Sequence, residues 1–425
     1  MTGSMAPPLP DQFLPPQPWM KRGDTLAVIA ALERAGGEGC ARFVGGCVRN
    51  ALLAREVVDV DIATTLTPDA VTAALIAAKL GAHPTGAAHG TITAVAEGRP
   101  FEITTLRRDV ETDGRRAKVE FTNDWSADAA RRDFTLNALY ADPDGRLFDP
   151  TGAGIADLRA GRIVFVGDPA TRIEEDALRI LRFFRFIAWY GAGEPDAAGL
   201  AACAERRGLV ETLSAERVGK EFLTLLAAED PRGAVRLLAA GGVLSLVLPA
   251  AGGLKRFDAM VEIESTLLFS EDPLLRLAAL LPADPAAGSE TAERLRLSNA
   301  ERDRLIAALG TEPPLTSWMS PREMRRLVYQ LGTEVFCDRV MLAWAASPRP
   351  AASVQWRALL PMACSWRRPK LPLSGEEVVA AGVPRGPMVG AVLREVESWW
   401  VDNDFLEDKL SVVERLKAVA QGMTY

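Results

Sequence analysis

Two aspartates one residue apart are the first feature of this sequence that suggests chemistry. Asp59 and Asp61 stand in the run VVDVDIA, where apolar and β-branched residues at 57–63 predict a strand. Residues i and i+2 of a strand point to the same face, so the two carboxylates should emerge side by side. Because adjacent negative charges repel, burying them is costly unless a cation neutralises them, and Mg²⁺ takes such oxygen ligands together with substrate phosphates. The pair therefore predicts a two-metal phosphoryl-transfer site, or alternatively two solvated aspartates at a surface strand end.

A glycine pair and an arginine stand shortly before these aspartates. Gly45 and Gly46 lie between a predicted strand at 42–44 and a predicted helix at 47–54, and Arg49 is one turn into that helix. Glycines let the backbone approach a phosphate, a helix amino terminus favours anions, and an arginine adds a charge-assisted contact. The alternative is a tight turn with a surface arginine. Glycines, arginine and DxD in this order are more specific than any of them alone.

The elements that must position these residues alternate between helix and strand over the first third of the chain. Apolar periodicity and turn residues predict further helices that begin at Asp24 and Thr67 and further strands at 91–95 and 101–106. From Thr171 onward the apolar residues recur at helical spacing, arginines are interleaved and convincing strands are absent. The sequence therefore predicts a mixed α/β domain followed by helices.

Composition excludes several classes of protein. The chain has 425 residues, of which 48% are apolar and 25% charged, as in ordinary globular proteins of more than one domain. A net charge of −7 argues against a generally basic surface but allows a local basic groove. The five cysteines are scattered without CxxC spacing, which favours reduced thiols in the cytoplasm and no zinc site. No apolar run is long enough for a membrane helix, and the first residues lack the pattern of a signal peptide.

Five motifs in order resemble those of class II nucleotidyltransferases, the family of tRNA CCA-adding enzymes and bacterial poly(A) polymerases. They are GGCVRN, DVD, RRDFTLNALYAD at 131–142, DPTGAGIADL at 149–158 and EEDALRILRFFRF at 174–186. The segment LPLSGEEVVAAGVPRGPMVGAVLREVESWW is also similar to tail segments of this family. The resemblance covers most of the chain and is weak between 250 and 365.

The resemblance implies an α/β nucleotidyltransferase head, with a small mixed sheet and helices, followed by an all-α neck, body and tail. The prolines of residues 1–22 predict an extended amino-terminal arm or a poorly ordered segment. The domains expected after it are the catalytic head (23–160), a neck with a nucleotide-selecting helix (161–250), a body (251–348) and an RNA-binding tail (349–425). The nucleotide would bind between head and neck.

The resemblance also assigns roles to matching residues. Asp59 and Asp61 would bind the catalytic Mg²⁺ ions and activate the RNA 3′-hydroxyl. Glu102 in the strand FEITTLR would be a third carboxylate, or else an ordinary exposed strand residue. The residues that would bind the nucleotide are Gly45, Gly46 and Arg49 at the triphosphate, and Arg132, Asp133 and Asn137 in RRDFTLN. The family often has Asp after the first of these arginines, where this chain has Asn50.

The stretch EDALR would select the base. On one helix, Asp176 and Arg179 are three residues apart and share a face, which on its own also fits a solvated ion pair. In the family, the matching residues read the Watson–Crick edge of the incoming base, since arginine donors and aspartate acceptors together match cytosine or adenine. Arg182 would follow on the same face and meet the triphosphate. Arg217 and Glu221 in AERVGKEF match a later motif that supports this helix.

Two other regions have predicted roles in RNA extension. The polar segment 107–129 is expected to be a loop, which in the family allows the switch from adding C to adding A, or else a solvated connector. Arginine-rich patches at 322–326 and 367–370, with Trp356 and Trp366 near them in sequence, could contact RNA phosphates and bases, although most tryptophans are expected in the helical core.

The function implied by the resemblance is the addition of C, C and A to the tRNA 3′ end from CTP and ATP. A tRNA 3′-hydroxyl would attack the α-phosphate in line and release pyrophosphate. The expected partners are the tRNA 3′ end, CTP, ATP and Mg²⁺, with no membrane and no stable protein partner. The alternatives are a poly(A) polymerase, a partial CC- or A-adding enzyme, and a non-catalytic RNA-binding protein. A DxD glycosyltransferase would explain the aspartates but not RRDFTLNAL or EDALR.

Overall fold

The computed structural model describes residues 13–86, 90–113, 116–267, 269–348 and 354–422. The chain divides into two units, Met1–Pro249 and Ala250–Tyr425, which are taken one at a time below. The finer division into arm, head, neck, body and tail stays a prediction. No described helix is both long and apolar enough to cross a membrane.

The first unit is built on a mixed sheet. Its strands and those of a separate hairpin are β1 (Ala41–Val44), β2 (Asp61–Thr64), β3 (Gly81–Gly86), β4 (Thr91–Ala96), β5 (Arg99–Thr105), β6 (Arg107–Asp113), β7 (Arg116–Phe121), β8 (Tyr140–Ala141) and β9 (Leu147–Phe148). Among the described residues, the sheet has the order β3-β4-β5-β2-β1-β8-β9, and β6 pairs with β7 alone. Only β2 and β5 are parallel within the sheet, and they bring Asp61 beside Glu102. The predicted small mixed sheet is confirmed.

Helices alternate with these strands along the chain, and after β9 the rest of the first unit contains helices without further strands among its described residues. They are α1 (Gly23–Gly36), α2 (Gly46–Leu52), α3 (Pro68–Ala77), α4 (Trp125–Ala130), α5 (Gly154–Ala160), α6 (Pro169–Glu175), α7 (Leu178–Tyr190), α8 (Ala197–Glu205), α9 (Ala215–Leu226), α10 (Arg232–Ala240) and α11 (Leu244–Val247), with 3₁₀ helices at Pro18–Lys21, Thr135–Asn137 and Arg207–Thr212. As expected from the apolar spacing, no strand occurs among the described residues after Thr171.

One part of the predicted extended arm, among the residues that the structure describes, is helical and not extended. Residues 18–21 form a 3₁₀ helix in which Trp19 is buried, and its ring meets Phe43 of β1 edge-on with centroids 4.8 Å apart. The Leu14 N–H donates to the Gly145 carbonyl at 2.7 Å. Aromatic burial against the sheet therefore holds residues 13–22 to the first unit. The rest of the predicted arm lies outside the described residues.

The polar segment 107–129 is not an irregular loop. Its first part forms the antiparallel hairpin β6–β7, and its last part forms α4. Charged side chains match across the hairpin, since Arg108 Nη2 lies 2.7 Å from Glu120 Oε2. Opposite charges directly across a strand pair stabilise a hairpin that has few apolar residues, and this long-range match is not visible in local composition.

Helix α7 has one apolar face and one face of arginines. Phe183, Phe184 and Phe186 are buried on the first face, and Phe183 stacks on Phe165 with centroids 5.2 Å apart. Phe134, which follows the RRD sequence, packs on the same cluster at 4.9 Å from Phe165. This aromatic packing fixes α7 against the RRD segment. The arginines at 179, 182 and 185 bind acidic partners and backbone carbonyls, and the guanidiniums of 182 and 185 also lie over the Phe186 ring.

The second unit is helical throughout its described residues. Its helices are α12 (Leu254–Leu267), α13 (Pro273–Leu280), α14 (Pro285–Arg294), α15 (Asn299–Ala308), α16 (Pro321–Leu331), α17 (Thr333–Ala345), α18 (Val354–Ser365), α19 (Gly375–Ala380), α20 (Pro387–Asp402) and α21 (Lys409–Gly422). Reciprocal serine–glutamate capping boxes begin α15, α16 and α19. A buried ion pair between Arg276 and Glu264, at 2.6 Å, joins α13 to α12.

Candidate active site

Asp61, at the beginning of β2, has two other carboxylates near it, those of Glu102 and Asp59. Asp61 is the first residue of β2 and lies beside Glu102 of β5 in register, while Asp59 is exposed and precedes the strand. The prediction that both aspartates stand on one strand is therefore wrong for Asp59. Burial raises the pKa of Asp61 to about 6, and the charges of Glu102 and Asp59 add to this while those of Arg132 and Arg49 oppose it. The cluster thus carries excess negative charge.

The cluster fits a cation that a substrate helps to bind. Across the described residues, no group of three or more His, Cys, Asp or Glu side chains is close enough to hold a metal ion. Mg²⁺, however, is usually held by one or two carboxylates and completed by waters and substrate phosphates. Asp61 with Asp59 or Glu102 supplies oxygen donors of this kind, and their mutual repulsion is what a bound cation would relieve.

Gly45 keeps the backbone open next to an arginine. It follows β1 with φ of 69° and ψ of −119°, a conformation that other residues rarely adopt. A Cβ at this position would lie 3.6 Å from Arg132 Nη1, and α2 begins directly after it at Gly46. The glycine pair and Arg132 therefore lie together at the carboxyl end of β1, beside the strand that begins with Asp61.

Arg49 is buried and held on three sides. Its guanidinium donates to Asn137 Oδ1 at 2.6 Å, to the Tyr190 hydroxyl at 2.8 Å and to Asn50 Oδ1 at 3.0 Å. It also lies 4.2 Å from the centroid of the Tyr190 ring. Asn50 in turn donates to the Glu56 carbonyl at 3.0 Å, which a carboxylate could not do. The asparagine therefore still serves as an acceptor for Arg49 without adding a charge.

Asp133 continues this network from α2 to α7. It accepts from Asn137 Nδ2 at 2.9 Å and from Arg182 Nε at 2.8 Å, and Arg182 also lies 3.7 Å from Glu221. Burial would raise the pKa of Asp133, but Arg182 and Asn137 hold it below its ordinary value. One set of hydrogen bonds therefore joins Arg49, Asn137, Asp133 and Arg182, four of the residues predicted from the sequence.

The sequence did not indicate a role for Asp128, which accepts hydrogen bonds from three side chains and is called the Asp128 hub below. This fully buried carboxylate accepts from the Tyr140 hydroxyl at 2.7 Å, from Arg132 Nη2 at 3.0 Å and from Arg131 Nε at 2.8 Å. Arg132 therefore does not pair with its neighbour Asp133 but with a residue one helical turn earlier. The spacing of Asp128 to Arg131 and Arg132, at i+3 and i+4, was the available signal, and the expectation of a loop concealed it.

Asp176 and Arg179 do not share one continuous helix. Asp176 has extended φ and ψ of −150° and 104° between α6 and α7, and its carboxylate accepts from the Leu178 N–H at 3.1 Å. Arg217 Nη2 donates to both of its oxygens, at 2.8 and 3.1 Å. The predicted common helical face is therefore wrong, because the extended backbone at Asp176 ends α6 and α7 begins only at Leu178.

Arg179 has partners other than Asp176. Its guanidinium donates to Glu175 Oε2 at 2.5 Å, to the Arg172 carbonyl at 2.7 Å and to the Arg131 carbonyl at 3.1 Å. The alternative interpretation of Asp176 and Arg179 as an ion pair is therefore also wrong. The contact with the Arg131 carbonyl places Arg179 directly beside the hub at Asp128.

In the second unit, one of the two arginine patches predicted to bind RNA is engaged within the protein. Arg325 Nε lies 2.8 Å from Asp404 and Arg326 2.9 Å from Asp402, and Arg322 donates to the Asp402 carbonyl, so this patch ties α16 to the end of α20. Arg368, from the second patch, lies 4.7 Å from the Tyr329 ring centroid. Trp356 is buried, and Trp366 packs on Phe405. The tail as an RNA-binding region stays a prediction.

Known proteins share both the sequence and the architecture of this chain. Residues 41–164 match the family described as Poly A polymerase head domain, and residues 196–252 match the one described as Probable RNA and SrmB- binding site of polymerase A. The CCA tRNA nucleotidyltransferase 1, mitochondrial, of Mus musculus is 33% identical over 398 residues, which is 88% of this chain and 86% of the mouse protein. The CCA-adding enzyme of Limosilactobacillus fermentum is 31% identical over 408 residues, which is 94% of this chain and 95% of that protein. A crystal structure of the Bacillus stearothermophilus CCA-adding enzyme in complex with CTP matches with a TM-score of 0.74 and 25% identity, over 95% of this chain and 99% of that one.

Proposed function

Because the chain belongs to the family of CCA-adding tRNA nucleotidyltransferases, we propose that it adds C, C and A to the 3′ end of tRNA from CTP and ATP. The observation that carries the proposal is the hydrogen-bonded set Arg49–Asn137–Asp133–Arg182, which lies in the same unit as the carboxylates of Asp61 and Glu102. Such a set supplies fixed positive charge and a fixed acceptor next to an acidic cluster, as nucleotidyl transfer requires.

The acidic cluster would hold Mg²⁺. Asp59 and Asp61 are the proposed ligands, and Glu102 is the proposed third carboxylate; the raised pKa of Asp61 supports an affinity for cations at this point. Bound there, Mg²⁺ would supply positive charge to the reacting phosphate and lower the pKa of the attacking hydroxyl. Asp59, which is exposed ahead of β2, is the carboxylate best able to receive the RNA 3′-hydroxyl.

The triphosphate would lie against Gly45, Gly46 and Arg49. Arg132, close to the space that a side chain on Gly45 would fill, adds a second guanidinium, and Asp128 keeps it oriented. Asp133 would accept from a ribose hydroxyl, while Arg182 balances its charge. These groups are held before substrate arrives, so little reorganisation is needed at the moment of reaction.

Asp176 and Arg179 stay the proposed base-selecting pair. The support for this is that each is held by separate partners at the break between α6 and α7, Asp176 by Arg217 and Arg179 by Glu175. A base that hydrogen-bonds with Arg179 would compete with Glu175 for the same donors. We therefore expect base binding to be coupled to a rearrangement of the Arg179–Glu175 pair.

The proposed compartment is the cytoplasm. The five cysteines are free, as expected where thiols stay reduced.

Extension of defined tRNA transcripts tests the proposal. Purified protein with Mg²⁺ is given three tRNAs that end before CCA, after C and after CC, with CTP and ATP supplied singly and together. The proposal expects all three to be extended and to stop at CCA, with the activity lost in Asp61→Ala.

Other outcomes select the alternatives. Extension of only one of the tRNAs would indicate a partial CC- or A-adding enzyme, and long A tails on an unrelated RNA would indicate a poly(A) polymerase. No incorporation on any RNA would contradict the proposed function itself.

A further inference from the structure

A cleft beside Asp59 lies outside the nucleotide-binding groups described above. It has a volume of about 250 Å³, and its walls are residues 58–60, residues 99–101 and Arg22. In the sheet, β5 and β1 lie on opposite sides of β2. The cleft is at the beginning of β5, whereas Gly45 follows β1, so the two regions flank Asp61 on opposite sides.

Two arginines stand on the wall of this cleft and share one buried carboxylate. Asp24, which is 2% exposed in the first turn of α1, lies 3.0 Å from Arg22 Nε and 3.5 Å from Arg99 Nε. The side chain of Arg99 is nevertheless 58% exposed and that of Arg22 is 32% exposed. Asp24 therefore orients both guanidiniums, and much of their surface stays available to an anion in the cleft.

The geometry of in-line transfer indicates which anion the two arginines would bind. The attacking hydroxyl must approach the α-phosphate from the side opposite to the leaving pyrophosphate. With the triphosphate placed against Gly45 and Arg132, on the β1 side of Asp61, an approach of the RNA 3′ end from the β5 side, where the cleft lies, meets this requirement. The strand that carries the hydroxyl has a phosphodiester at each preceding linkage, and guanidinium groups are well suited to phosphate oxygens.

We propose that Arg22 and Arg99 bind a phosphodiester of the RNA acceptor strand close to its 3′ nucleotide. This inference rests on the proposed function, and it assigns the substrate side of the same site. The negative charge of Asp59 keeps the phosphate at the arginine end of the cleft, while the 3′-hydroxyl lies at the Asp59 end. The cleft thereby sets the direction in which the RNA enters.

The test compares arginine variants of the full-length chain. Arg99→Gln and Arg22→Gln remove one charge each, Arg99→Lys keeps it, and Arg34→Gln removes an exposed charge from the far end of α1 as the matched control. The RNA is a synthetic acceptor-stem hairpin that ends in CC, and its binding is measured by fluorescence anisotropy across a salt series. The KM for this RNA and the KM for ATP are measured in parallel, with pyrophosphate inhibition as a third readout.

The proposal expects changes in the RNA parameters alone. Arg99→Gln and Arg22→Gln should each weaken RNA binding about 3- to 5-fold and lower the slope of log affinity against log salt by about 0.7, the value for one single-strand phosphate contact. Arg99→Lys should restore most of the affinity, and Arg34→Gln should resemble the unaltered chain. A single methylphosphonate linkage near the RNA 3′ end should weaken binding to the unaltered chain but not to Arg99→Gln.

Three results would overturn the inference. Unchanged RNA affinity and salt slope in both variants would show that the arginines only neutralise Asp24. A change in the KM for ATP or in pyrophosphate inhibition, with RNA binding intact, would assign the arginines to nucleotide phosphates instead. Failure of the unaltered chain to extend any tRNA would remove the proposed function and this inference together, which distinguishes that case from the first two. Because Arg99 is largely exposed, its variant remains informative even where Arg22→Gln does not fold.

Discussion

At the scale of single residues, Asp128 fixes the position of the Arg132 guanidinium. The carboxylate is fully buried, yet two arginines and the Tyr140 hydroxyl satisfy its oxygens. Burial alone would raise its pKa, but Arg132, Arg131 and Tyr140 lower it to about 2. A carboxylate bound this strongly stabilises the folded chain and also supports the guanidinium beside Gly45.

Replacing this carboxylate should give a loss of stability that depends on pH. The folded pKa of about 2 lies below the ordinary value of 3.8, so the charged form contributes roughly 2 kcal/mol above about pH 4, and this is lost as the pH falls towards 2. We expect the free energy of unfolding of Asp128→Asn to be lower by about 2 kcal/mol or more at pH 7, with a difference that shrinks below pH 4. Urea unfolding of both proteins at pH 7, 4 and 3 measures it.

The control for this variant is Asp144→Asn, since Asp144 is exposed and its ion pair with Arg146 is long, at 3.9 Å, and open to solvent. It should leave the unfolding free energy almost unchanged. For Asp128→Asn we also expect the KM for CTP and ATP to rise more than the KM for tRNA, because Arg132 is proposed to contact the nucleotide. A destabilisation that is the same at every pH would contradict the assigned charge.

Replacing Asp61, unlike replacing Asp128, should stabilise the folded chain while it abolishes activity. Its pKa is raised to about 6 by burial and by the neighbouring carboxylates, so its charged form destabilises the folded chain near neutral pH. In Mg²⁺-free buffer, Asp61→Asn should therefore raise the free energy of unfolding by about 1–3 kcal/mol while it abolishes nucleotide incorporation. Thermal melting in chelator, together with the extension assay, checks this. A variant that loses both activity and stability would show that Asp61 has a structural role instead.

At the scale of the element, the break between α6 and α7 matters most. Asp176 leaves the helical conformation there, and Arg217 of α9 binds it from a helix that is distant in sequence. Glu221, one turn further along α9, contacts Arg185 at 2.6 Å. Helix α9 therefore forms one ion pair with Asp176, just before α7, and one with Arg185 in the middle of α7. Asp176, one of the two proposed base-selecting residues, thus depends on a neighbouring helix for its position.

Loss of Arg217 should affect selectivity more than it affects folding. With Arg217→Gln, the carboxylate of Asp176 keeps only its contact with the Leu178 N–H, and it can rotate. We expect kcat/KM for CTP and ATP to fall about 10-fold and the preference over UTP and GTP to narrow, because the acceptor is no longer fixed. Single-nucleotide incorporation with each of the four nucleotides measures this.

The matched control is Arg206→Gln, which removes a partly exposed ion pair between the residue that follows α8 and Glu174 of α6. It should preserve both the rate and the preference. If the two variants behave alike, Asp176 does not depend on Arg217 for base selection.

Elements with a strong local signal could be predicted from the sequence. The strand at β1, the glycine turn after it and the helices after Thr171 follow from β-branched residues, glycines and apolar spacing. The start of β2 and the end of α6 could not be predicted, because Asp59 and Asp176 lie in runs that fit a longer element. At Asp176 the backbone is extended and the side chain accepts from the Leu178 N–H, and local periodicity does not report such a contact.

The site itself was predicted as a set of residues but not as a set of contacts. The resemblance supplied Arg49, Asn137, Asp133 and Arg182, and the structure joins them by direct hydrogen bonds. Asp128 was missed because its partners are identified only once α4 exists as a helix. Pairings between distant residues depend on the fold, and single-sequence patterns contain little information about them.

At the scale of the whole molecule, the second unit has its own buried electrostatics. Arg276 and Glu264 are almost fully buried in an ion pair, and burial raises the pKa of Glu264 even though Arg276 opposes it. Arg304 lies 2.6 Å from Asp272 and 2.8 Å from Asp338, which joins α15 to α17 and to the residue that caps α13. The predicted all-α character of this half is confirmed, but apolar periodicity did not indicate these pairs.

Removing one partner of the Arg276–Glu264 pair should lower the free energy of unfolding much more than removing both. Arg276→Met leaves the carboxylate of Glu264 buried without its cation, and we expect the free energy of unfolding to fall by about 3–5 kcal/mol. The double variant Arg276→Met with Glu264→Leu removes both charges and should recover most of that loss. Urea unfolding of the four proteins in this cycle gives the coupling, and additive losses would contradict a directly coupled pair.

The crowding of carboxylates around Asp61, the first residue of β2, also has a practical consequence for inhibitor discovery. Since the carboxylates around Asp61 repel one another, any compound that places a cation or a metal chelate among Asp59, Asp61 and Glu102 relieves that repulsion and delays melting. A dye-based melting screen can therefore find ligands of this site without RNA, radioactive nucleotide or turnover. Asp61→Asn, in which the repulsion is already relieved, serves as the counter-screen that removes compounds acting elsewhere on the chain.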